Sequence, residues 1–427
     1  MKLNYKRTFL IGLAFLSISS FWQMYDNIIP LILKNTFGLG ETVTGVIMAM
    51  DNVLALFLLP ILGAFSDRTE TKIGKRMPFI LTGTGLAFIF MLVLPYADNT
   101  LNLPMFVIAL FALLVAMGLY RSPAVALMPD LTPNRLRSKA NAIINLMGAV
   151  GAAYALVMIM VLVSKEGKPD YFPMFLSIAL LMLISILICF ITVPENKTKE
   201  KVAEECRIAG ETFTAETEEE EQARLNGEVK GAKLEPAVKR SMIFLLASIF
   251  LWYFAYNAVT TAFSRYTIEV WGMENSGFAG CLMIAMIAAI ISYIPIGHIS
   301  SKIGRKKTIL CGVTMMSVCY FLAIFATTFT PLINVAFAII GIGWAAINVN
   351  SYPMVVEMAK GGDIGKYTGT YYTFSMAAQI ITPVVSGFLL EHVSYRTLFP
   401  YAVVFSCCAF LTMLQVHHGD IIPDKKG

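Results

Sequence analysis

The sequence predicts an all-α membrane protein with twelve transmembrane helices, arranged as two pseudo-symmetric six-helix bundles. Three observations lead to this fold class: long apolar windows, a low share of charged residues and an internal repeat. Charged residues make up 14% of the 427 residues, whereas soluble proteins average about 25%. Hydrophobic residues make up 57%, and 58 of the 61 charged residues fall outside the long apolar windows, a distribution that excludes a soluble enzyme, a nucleic-acid-binding module and a disordered chain.

Twelve apolar windows follow one another along the chain. Each contains 19 to 25 residues, enough for an α-helix to cross about 30 Å of hydrocarbon. The strands of a membrane β-barrel would be shorter and would alternate strictly. Three formal charges fall inside the windows, those of Asp26, Asp51 and Arg121. The windows comprise residues 9–33, 43–66, 79–97, 104–128, 140–163, 172–193, 241–264, 277–298, 308–329, 332–356, 367–390 and 397–416.

Basic residues predict the orientation of these helices. The N-terminal tail and every second loop after it, including the C-terminal tail, hold 27 Lys and Arg residues. The loops on the opposite side hold five. Because basic residues concentrate in cytoplasmic loops, both termini are expected to be cytoplasmic. The net charge of +5 then reflects topology and contact with anionic lipid rather than nucleic acid. We expect the first window to be a retained helix and not a cleaved signal peptide.

One long polar stretch divides the windows into two sets of six. Residues 194–240 carry twelve acidic and nine basic residues, and we predict a cytoplasmic linker there, with a regulatory surface as the alternative. The predicted domains are therefore an N-terminal bundle over 1–193, the linker over 194–240 and a C-terminal bundle over 241–427.

The two sets of windows repeat each other. The loop residues Gly74-Lys75-Arg76 align with Gly304-Arg305-Lys306 at an offset of 230, and Asp130 aligns with Glu357 at an offset of 227. Matches at nearly one offset indicate two related bundles, an arrangement typical of transporters with a midplane binding site.

The loop SDRTETKIGKRMPFI at 66–80 resembles the hallmark loop of the major facilitator superfamily, in the form found in its glycoside–pentoside–hexuronide:cation symporter branch. Residues 47–60 and 120–148 are similar to bacterial relatives of sucrose:proton symporters. The resemblance implies a major facilitator fold and symport of a sugar or glycoside, such as a sucrose-like or maltose-like disaccharide, with a cation. In the sodium-coupled melibiose-type branch, carboxylates would fall at Ala55 and Leu59, so their absence here favours a proton.

The charges inside the windows are the candidate coupling groups. Asp26 and Asp51 lie at similar depth on consecutive helices, and a charge at membrane depth is costly enough to indicate a function. We therefore predict that one or both carry the coupling proton; hydrogen bonding within the bundle is the alternative. At 1.5 Å per residue, Arg121 lies about 15 Å deeper than Asp26. In plant-type sucrose carriers, the corresponding arginine would fall at Val125, one turn later.

Polar side chains at helical spacing predict the substrate site, because sugars bind neutral hydrogen-bonding groups and flat aromatic faces. Such stripes also serve as contacts between helices, which is the alternative for each residue. The predicted substrate-binding residues are Gln23, Asn27, Arg121, Asn141, Asn145, Tyr256, Asn257, Trp344, Asn348, Tyr372 and Gln379.

Charged residues at the cytoplasmic helix ends predict a gate, whose ion pairs would form when that side is closed. The alternative is that the basic residues only set the topology. The predicted gating residues are Asp67, Arg68, Lys75, Arg76, Asp130, Arg305 and Glu357.

The sequence as a whole favours a proton-coupled sugar symporter in a bacterial plasma membrane. The alternatives are a sodium-coupled sugar symporter, an exporter of amphipathic compounds and a non-transporting sensor. We predict no enzyme, and assign no catalytic residue, metal or cofactor, because neither a nucleophile–base pattern nor a phosphate-binding loop occurs. The expected partners are a sugar, protons and the lipid bilayer, not nucleic acid, and we expect a monomer.

Overall fold

A computed structural model describes residues 3–133, 136–164, 167–208, 234–274, 276–358 and 364–420. Over these residues the chain folds into thirteen α-helices and one short 3-10 turn, Tyr395–Thr397. The helices are α1 Tyr5–Asn35, α2 Glu41–Asp67, α3 Met77–Asn99, α4 Leu103–Asp130, α5 Arg137–Leu162, α6 Phe172–Thr192, α7 Glu195–Ile208, α8 Pro236–Glu269, α9 Phe278–Ile303, α10 Arg305–Ala323, α11 Pro331–Met358, α12 Ile364–His392 and α13 Leu398–Leu414.

Twelve helices in the described parts of the chain are long and apolar enough to cross a membrane. The remaining helix, α7, has 14 residues and is polar. The ninth predicted window extends to residue 329, but α10 ends at Ala323. Threonines and then Pro331 follow, and neither residue type favours a continued helix. The carbonyl of Ala326 leaves the helical pattern and accepts a hydrogen bond from Trp271 Nε1 at 2.9 Å.

The chain divides into two compact units, one comprising Met1–Phe37 and Asp51–Gln222, the other Gly38–Met50 and Ala223–Gly427. In the first unit α1 packs on α5 and α6, and α3 packs on α4 and α6. In the second unit α8 packs on α12 and α13, and α10 packs on α11 and α13. These four helix pairs of the first unit each have a counterpart in the second, which confirms the predicted pseudo-symmetric bundles.

The first turns of α2 belong to the second unit, although the rest of this helix belongs to the first. Glu41 pairs with Arg265 of α8, 224 residues away in sequence, and the amide of Thr42 donates to Glu391 of α12. At Gly45 a Cβ atom would lie 2.1 Å from the carbonyl oxygen of Pro383, so only glycine permits this approach. The predicted domain boundaries at 193 and 240 place all of α2 in the N-terminal bundle, so they do not anticipate that its first turns belong to the second unit.

A carboxylate caps the start of α3 in the first unit. Glu195, the first residue of α7, accepts hydrogen bonds from the amides of Lys75, Arg76 and Met77 at 2.9, 3.0 and 3.0 Å. Gly74 has a φ of 117°, and a Cβ there would collide with the Glu195 carboxylate. The negative charge satisfies unpaired amides at the positive end of the helix dipole.

The second unit repeats this cap with different residues. Asp420, which follows α13, accepts hydrogen bonds from the amides of Arg305 and Lys306 at the start of α10. Gly304 has a φ of 97° and faces the Asp420 carboxylate. From the sequence, Asp67 is the expected acceptor at a neighbouring helix start, but its side chain lies outside the described residues.

Helix α7 lies within the predicted linker and is attached to the first unit at both ends. Its first residue caps α3, and Glu205 near its last turn pairs with Arg7 of α1 at 3.2 Å. Val202 and Cys206, one turn apart on the same helix, are buried. The first part of the linker is therefore packed against the bundle.

We expect Glu195→Ala to destabilise the protein by about 2–3 kcal/mol, because it leaves three amide donors without their charged acceptor. Glu195→Gln retains an acceptor oxygen and is expected to cost less. Thermal unfolding of the purified protein in detergent measures both. Glu200→Ala, at an exposed position on the same helix, is the control, and equal melting temperatures for Glu195→Ala and Glu200→Ala would contradict the cap.

Candidate functional site

Three charged side chains come together in the first unit. Asp26 on α1, Asp51 on α2 and Arg121 on α4 are each partly buried, and their charges act on one another. Asn52 Nδ2 donates to Asp51 Oδ1 at 2.7 Å. Within the described part of the chain, neither carboxylate forms a direct ion pair with Arg121. The charges therefore form a loose group in which none is neutralised by contact.

Helix direction brings the side chain of Arg121 toward α1. The neighbouring Tyr120 donates to the carbonyl of Ala14 at 2.8 Å and contacts the hydroxyl of Ser17, which fixes the level of α4 against α1. Long side chains in a helix point toward its N-terminus. Arg121 bridges part of the predicted depth difference in this way, and its Cζ lies 5.4 Å from the centre of the Trp22 ring.

The other predicted polar residues of the first unit are placed differently. Asn27 is buried, and its Nδ2 donates to the carbonyl of Gln23 at 2.8 Å. Its side chain therefore faces the bundle interior, while Gln23 is partly exposed. Asn145 is exposed on α5, and the side chain of Asn141 lies outside the described residues.

The second unit contributes an aromatic cluster that carries no formal charge. Tyr256 of α8 stacks on Trp344 of α11 with ring centres 3.7 Å apart and planes 4° from parallel. Tyr253 meets the same indole at 5.3 Å in a T-shaped arrangement. Tyr371 and Tyr372 of α12 lie edge to face at 5.3 Å. One face of Trp344 is therefore covered by Tyr256 in this structure.

Amide side chains accompany these rings. Asn348 Nδ2 donates to the carbonyl of Trp344 at 3.0 Å, and Gln379 Nε2 donates to that of Ser375 at 3.3 Å. Each bond runs one turn back along its own helix, which leaves the amide oxygens as acceptors. The Nδ2 of Asn257 is buried and has no partner among the described residues. Tyr372 is 54% exposed.

Ion pairs join the helix ends at the predicted cytoplasmic side of each unit. In the first unit, Asp130 Oδ2 lies 2.8 Å from Arg76 Nε and 3.3 Å from Lys75 Nζ. In the second, Arg305 Nη1 lies 3.9 Å from Glu357 Oε2. These pairs match the aligned positions of the repeat. Arg68, the first residue of the loop between α2 and α3, is exposed.

The opposite side holds a cluster of two buried residues, Glu41 and Arg265, and the partly buried Tyr395, which we term the outer clasp. Glu41 Oε2 lies 2.7 Å from Arg265 Nε, with 4% and 5% of the two side chains exposed. The hydroxyl of Tyr395 donates to the other Glu41 oxygen, and Arg265 Nη1 donates to the carbonyl of Thr261 at 2.8 Å. Sequence reasoning missed the clasp. Arg265 was one of five basic residues on the predicted outer side, and that scarcity was a usable signal.

The sequence model of the Major Facilitator Superfamily matches residues 11–294 and 275–421. The chain belongs to the major facilitator superfamily. It is therefore a membrane transporter and not an enzyme, and its twelve apolar helices make it an integral membrane protein.

Two proteins with related sequences match this chain over short stretches. The chain is 29% identical over 101 residues to the chloramphenicol resistance protein CraA of Acinetobacter baumannii, covering 24% of each protein. It is 26% identical over 135 residues to the sucrose transport protein SUC3 of Arabidopsis thaliana, covering 27% of this chain and 23% of SUC3. The chain thus spans about a quarter of the length of these relatives.

Solved structures of two transporters share the fold over nearly the full chain. A peptide transporter, POT, superimposes with a TM-score of 0.71 at 14% identity, covering 96% of this chain and 93% of that one. The nucleoside transporter NupG gives a TM-score of 0.68 at 13% identity, covering 96% and 99%. Identities this low concern the fold alone, and they confirm the predicted major facilitator architecture.

Glu41→Gln is expected to destabilise this transporter by about 3–5 kcal/mol, because it leaves the Arg265 guanidinium buried without its counter-charge. The double variant Glu41→Gln/Arg265→Gln is expected to recover part of the loss. Thermal unfolding in detergent measures both effects. Glu391→Gln, which alters an exposed carboxylate bonded to Thr42, is the control. Additive losses in the double variant would show that the two residues do not stabilise each other.

Proposed function

We propose that the protein is a proton-coupled symporter for a sugar or glycoside and works by alternating access. The observation that carries the proposal is the group of Asp26, Asp51 and Arg121 in the first unit, together with the uncharged aromatic and amide residues of the second. The charged group offers proton-binding carboxylates, and the uncharged group offers partners for a neutral polyhydroxyl compound.

The carboxylates are better suited to a proton than to sodium. A hard metal cation in a protein is held by several oxygen ligands, but one oxygen of Asp51 already accepts the amide hydrogen of Asn52. A donor hydrogen directed at this oxygen repels a cation. A carboxylate at membrane depth that lacks a fixed counter-ion can instead become neutral by binding a proton.

The substrate class follows from the neutral polar groups. Amide oxygens of Asn348 and Gln379 can accept hydroxyl hydrogens, and the phenol of Tyr372 is exposed to a ligand. Aromatic faces add contact area with the apolar face of a sugar ring. The similarity to SUC3 supports a sugar, as does the resemblance of 66–80 to the glycoside–pentoside–hexuronide:cation branch. A sucrose-like or maltose-like disaccharide is the substrate we would test first.

The ion pairs at the helix ends supply the two gates in this proposal. The pairs of Asp130 and Glu357 are assigned to the gate on the side that carries both termini, which is the cytoplasm in the predicted bacterial plasma membrane. The outer clasp is assigned to the gate on the other side. Residues 194–240 link the bundles, and the transporter acts as a monomer.

Export of an amphipathic compound is the second candidate, and a specific observation favours it. The short match to a chloramphenicol resistance protein and the stacked pair of Tyr256 and Trp344 suit an aromatic, poorly charged drug. This function predicts that deletion of the gene sensitises the cell to chloramphenicol, which a sugar symporter does not predict.

Counterflow in proteoliposomes tests the proposed function. Vesicles loaded with unlabelled disaccharide are expected to accumulate the labelled sugar, and an inward-directed proton gradient is expected to drive net uptake without sodium. Uptake that requires sodium would show that sodium, not the proton, is the coupling ion. Failure of every sugar in a broad panel, with pH-driven movement of chloramphenicol, would overturn the proposal in favour of export.

We expect Asp26→Asn or Asp51→Asn to reduce uphill uptake at least tenfold, because an amide cannot bind and release a proton as a carboxylate does. At one of the two positions counterflow is expected to survive, since exchange of bound sugar requires no net proton movement. Uptake with and without a pH gradient, compared with counterflow in the same vesicles, separates the two roles. Normal accumulation in both variants would contradict the assignment of the coupling site.

A further inference from the structure

The indole of Trp22 is the direct partner of Arg121. The guanidinium carbon lies 5.4 Å from the centre of the Trp22 ring, within the range in which a cation is attracted by an aromatic face, and tryptophan is the strongest such partner. Trp22 precedes Asp26 by one helical turn, so the two side chains share a face of α1. The ring and a carboxylate therefore lie side by side near the same cation.

The ring is held in place by its neighbours. Phe21 meets it edge to face at 4.9 Å, and Tyr25 does so at 5.4 Å. The indole Nε1 is buried and has no partner among the residues that the structure describes. Among those residues, the ring therefore has two aromatic contacts and one cation contact, with the guanidinium of Arg121.

Arg121 has alternative partners that it does not contact here. The charged groups that act on this part of the first unit are Asp26, Asp51 and Arg121, and the phenol of Tyr25 lies beside them. An ionised carboxylate attracts a guanidinium more strongly than an aromatic face does, whereas a protonated carboxyl group carries no charge. The position of Arg121 over the indole is the one expected when the carboxyl groups are protonated.

We propose that Trp22 is a positioning residue that holds Arg121 away from the carboxyl groups while they carry the proton. When Asp26 or Asp51 ionises, Arg121 leaves the ring and pairs with it. This inference rests on the proposed proton coupling, since it assigns Arg121 the task of displacing the proton. Trp22 sets how firmly that proton is held, without itself binding proton or sugar.

The pH dependence of transport tests this role. Without the ring, Arg121 pairs with a carboxylate at all times and competes with the proton. Trp22→Leu is therefore expected to shift the pH of half-maximal uptake downward by about one unit. Trp22→Phe, which keeps an aromatic face, is expected to restore most of the profile. Phe244→Leu removes a second arginine–aromatic contact, with Arg240 at 5.8 Å, and is the matched control with an unchanged profile. An unshifted profile in Trp22→Leu would overturn the proposal.

Tryptophan fluorescence gives a second readout that needs no substrate. The difference spectrum between the wild-type protein and Trp22→Phe isolates Trp22, and it is expected to change with pH as Arg121 leaves the ring. The change is expected to vanish in Arg121→Gln and in Asp26→Asn/Asp51→Asn. A pH-independent difference spectrum would overturn the proposal even if sugar uptake is proton-driven. A pH-dependent spectrum in a protein that moves no sugar would leave the role of Trp22 intact and reject only the proposed function.

Discussion

Hydrocarbon offers a polar group no hydrogen-bond partner, and this constraint governs the whole structure. Backbone amides can be satisfied within a helix except over its first turn, where several donors remain unpaired. At α3 and α10 these donors meet a carboxylate that comes from beyond the last transmembrane helix of the same unit, Glu195 in one case and Asp420 in the other. The end of each six-helix unit is thereby attached to its middle, so a local requirement of one helix terminus organises the bundle.

The division of charge between the two units follows from the same constraint. The internal repeat places Asn257 opposite Asp26 and Asn348 opposite Arg121 in the alignment. At these two positions the second unit therefore carries amides where the first unit carries charges. Since a buried charge is tolerated only where something uses or compensates it, the two units differ in chemistry despite their common architecture. We therefore assign proton binding in the proposed function to the first unit and recognition of a neutral ligand to the second.

The features that the sequence predicts are those encoded over short range. Apolar windows and basic loops reflect transfer of individual residues into lipid, so the twelve helices were within reach of sequence reasoning. The end of α10 was misplaced by six residues because threonine scores as nearly neutral in hydropathy but is a poor helix former. The outer clasp was missed because Glu41 and Arg265 lie 224 residues apart, and no local pattern links them. The Trp22 contact was missed because depth was counted along the helix axis, whereas a long side chain extends back by a turn or more.

In two of the predicted gating residues, Arg76 and Arg305, the backbone amide and the guanidinium group have different partners. The amide of Arg76 is held by Glu195 while its guanidinium meets Asp130. In the second unit the amide of Arg305 is held by Asp420 while its guanidinium faces Glu357. A backbone anchored by a cap keeps the arginine in place when its ion pair breaks, so the pair can form again without reordering the loop. Because each cap comes from the segment after the last transmembrane helix, a change in that segment would reach the gate through the backbone. Through Glu195, the start of the predicted linker is in direct contact with the backbone of Arg76, one of the predicted gating residues.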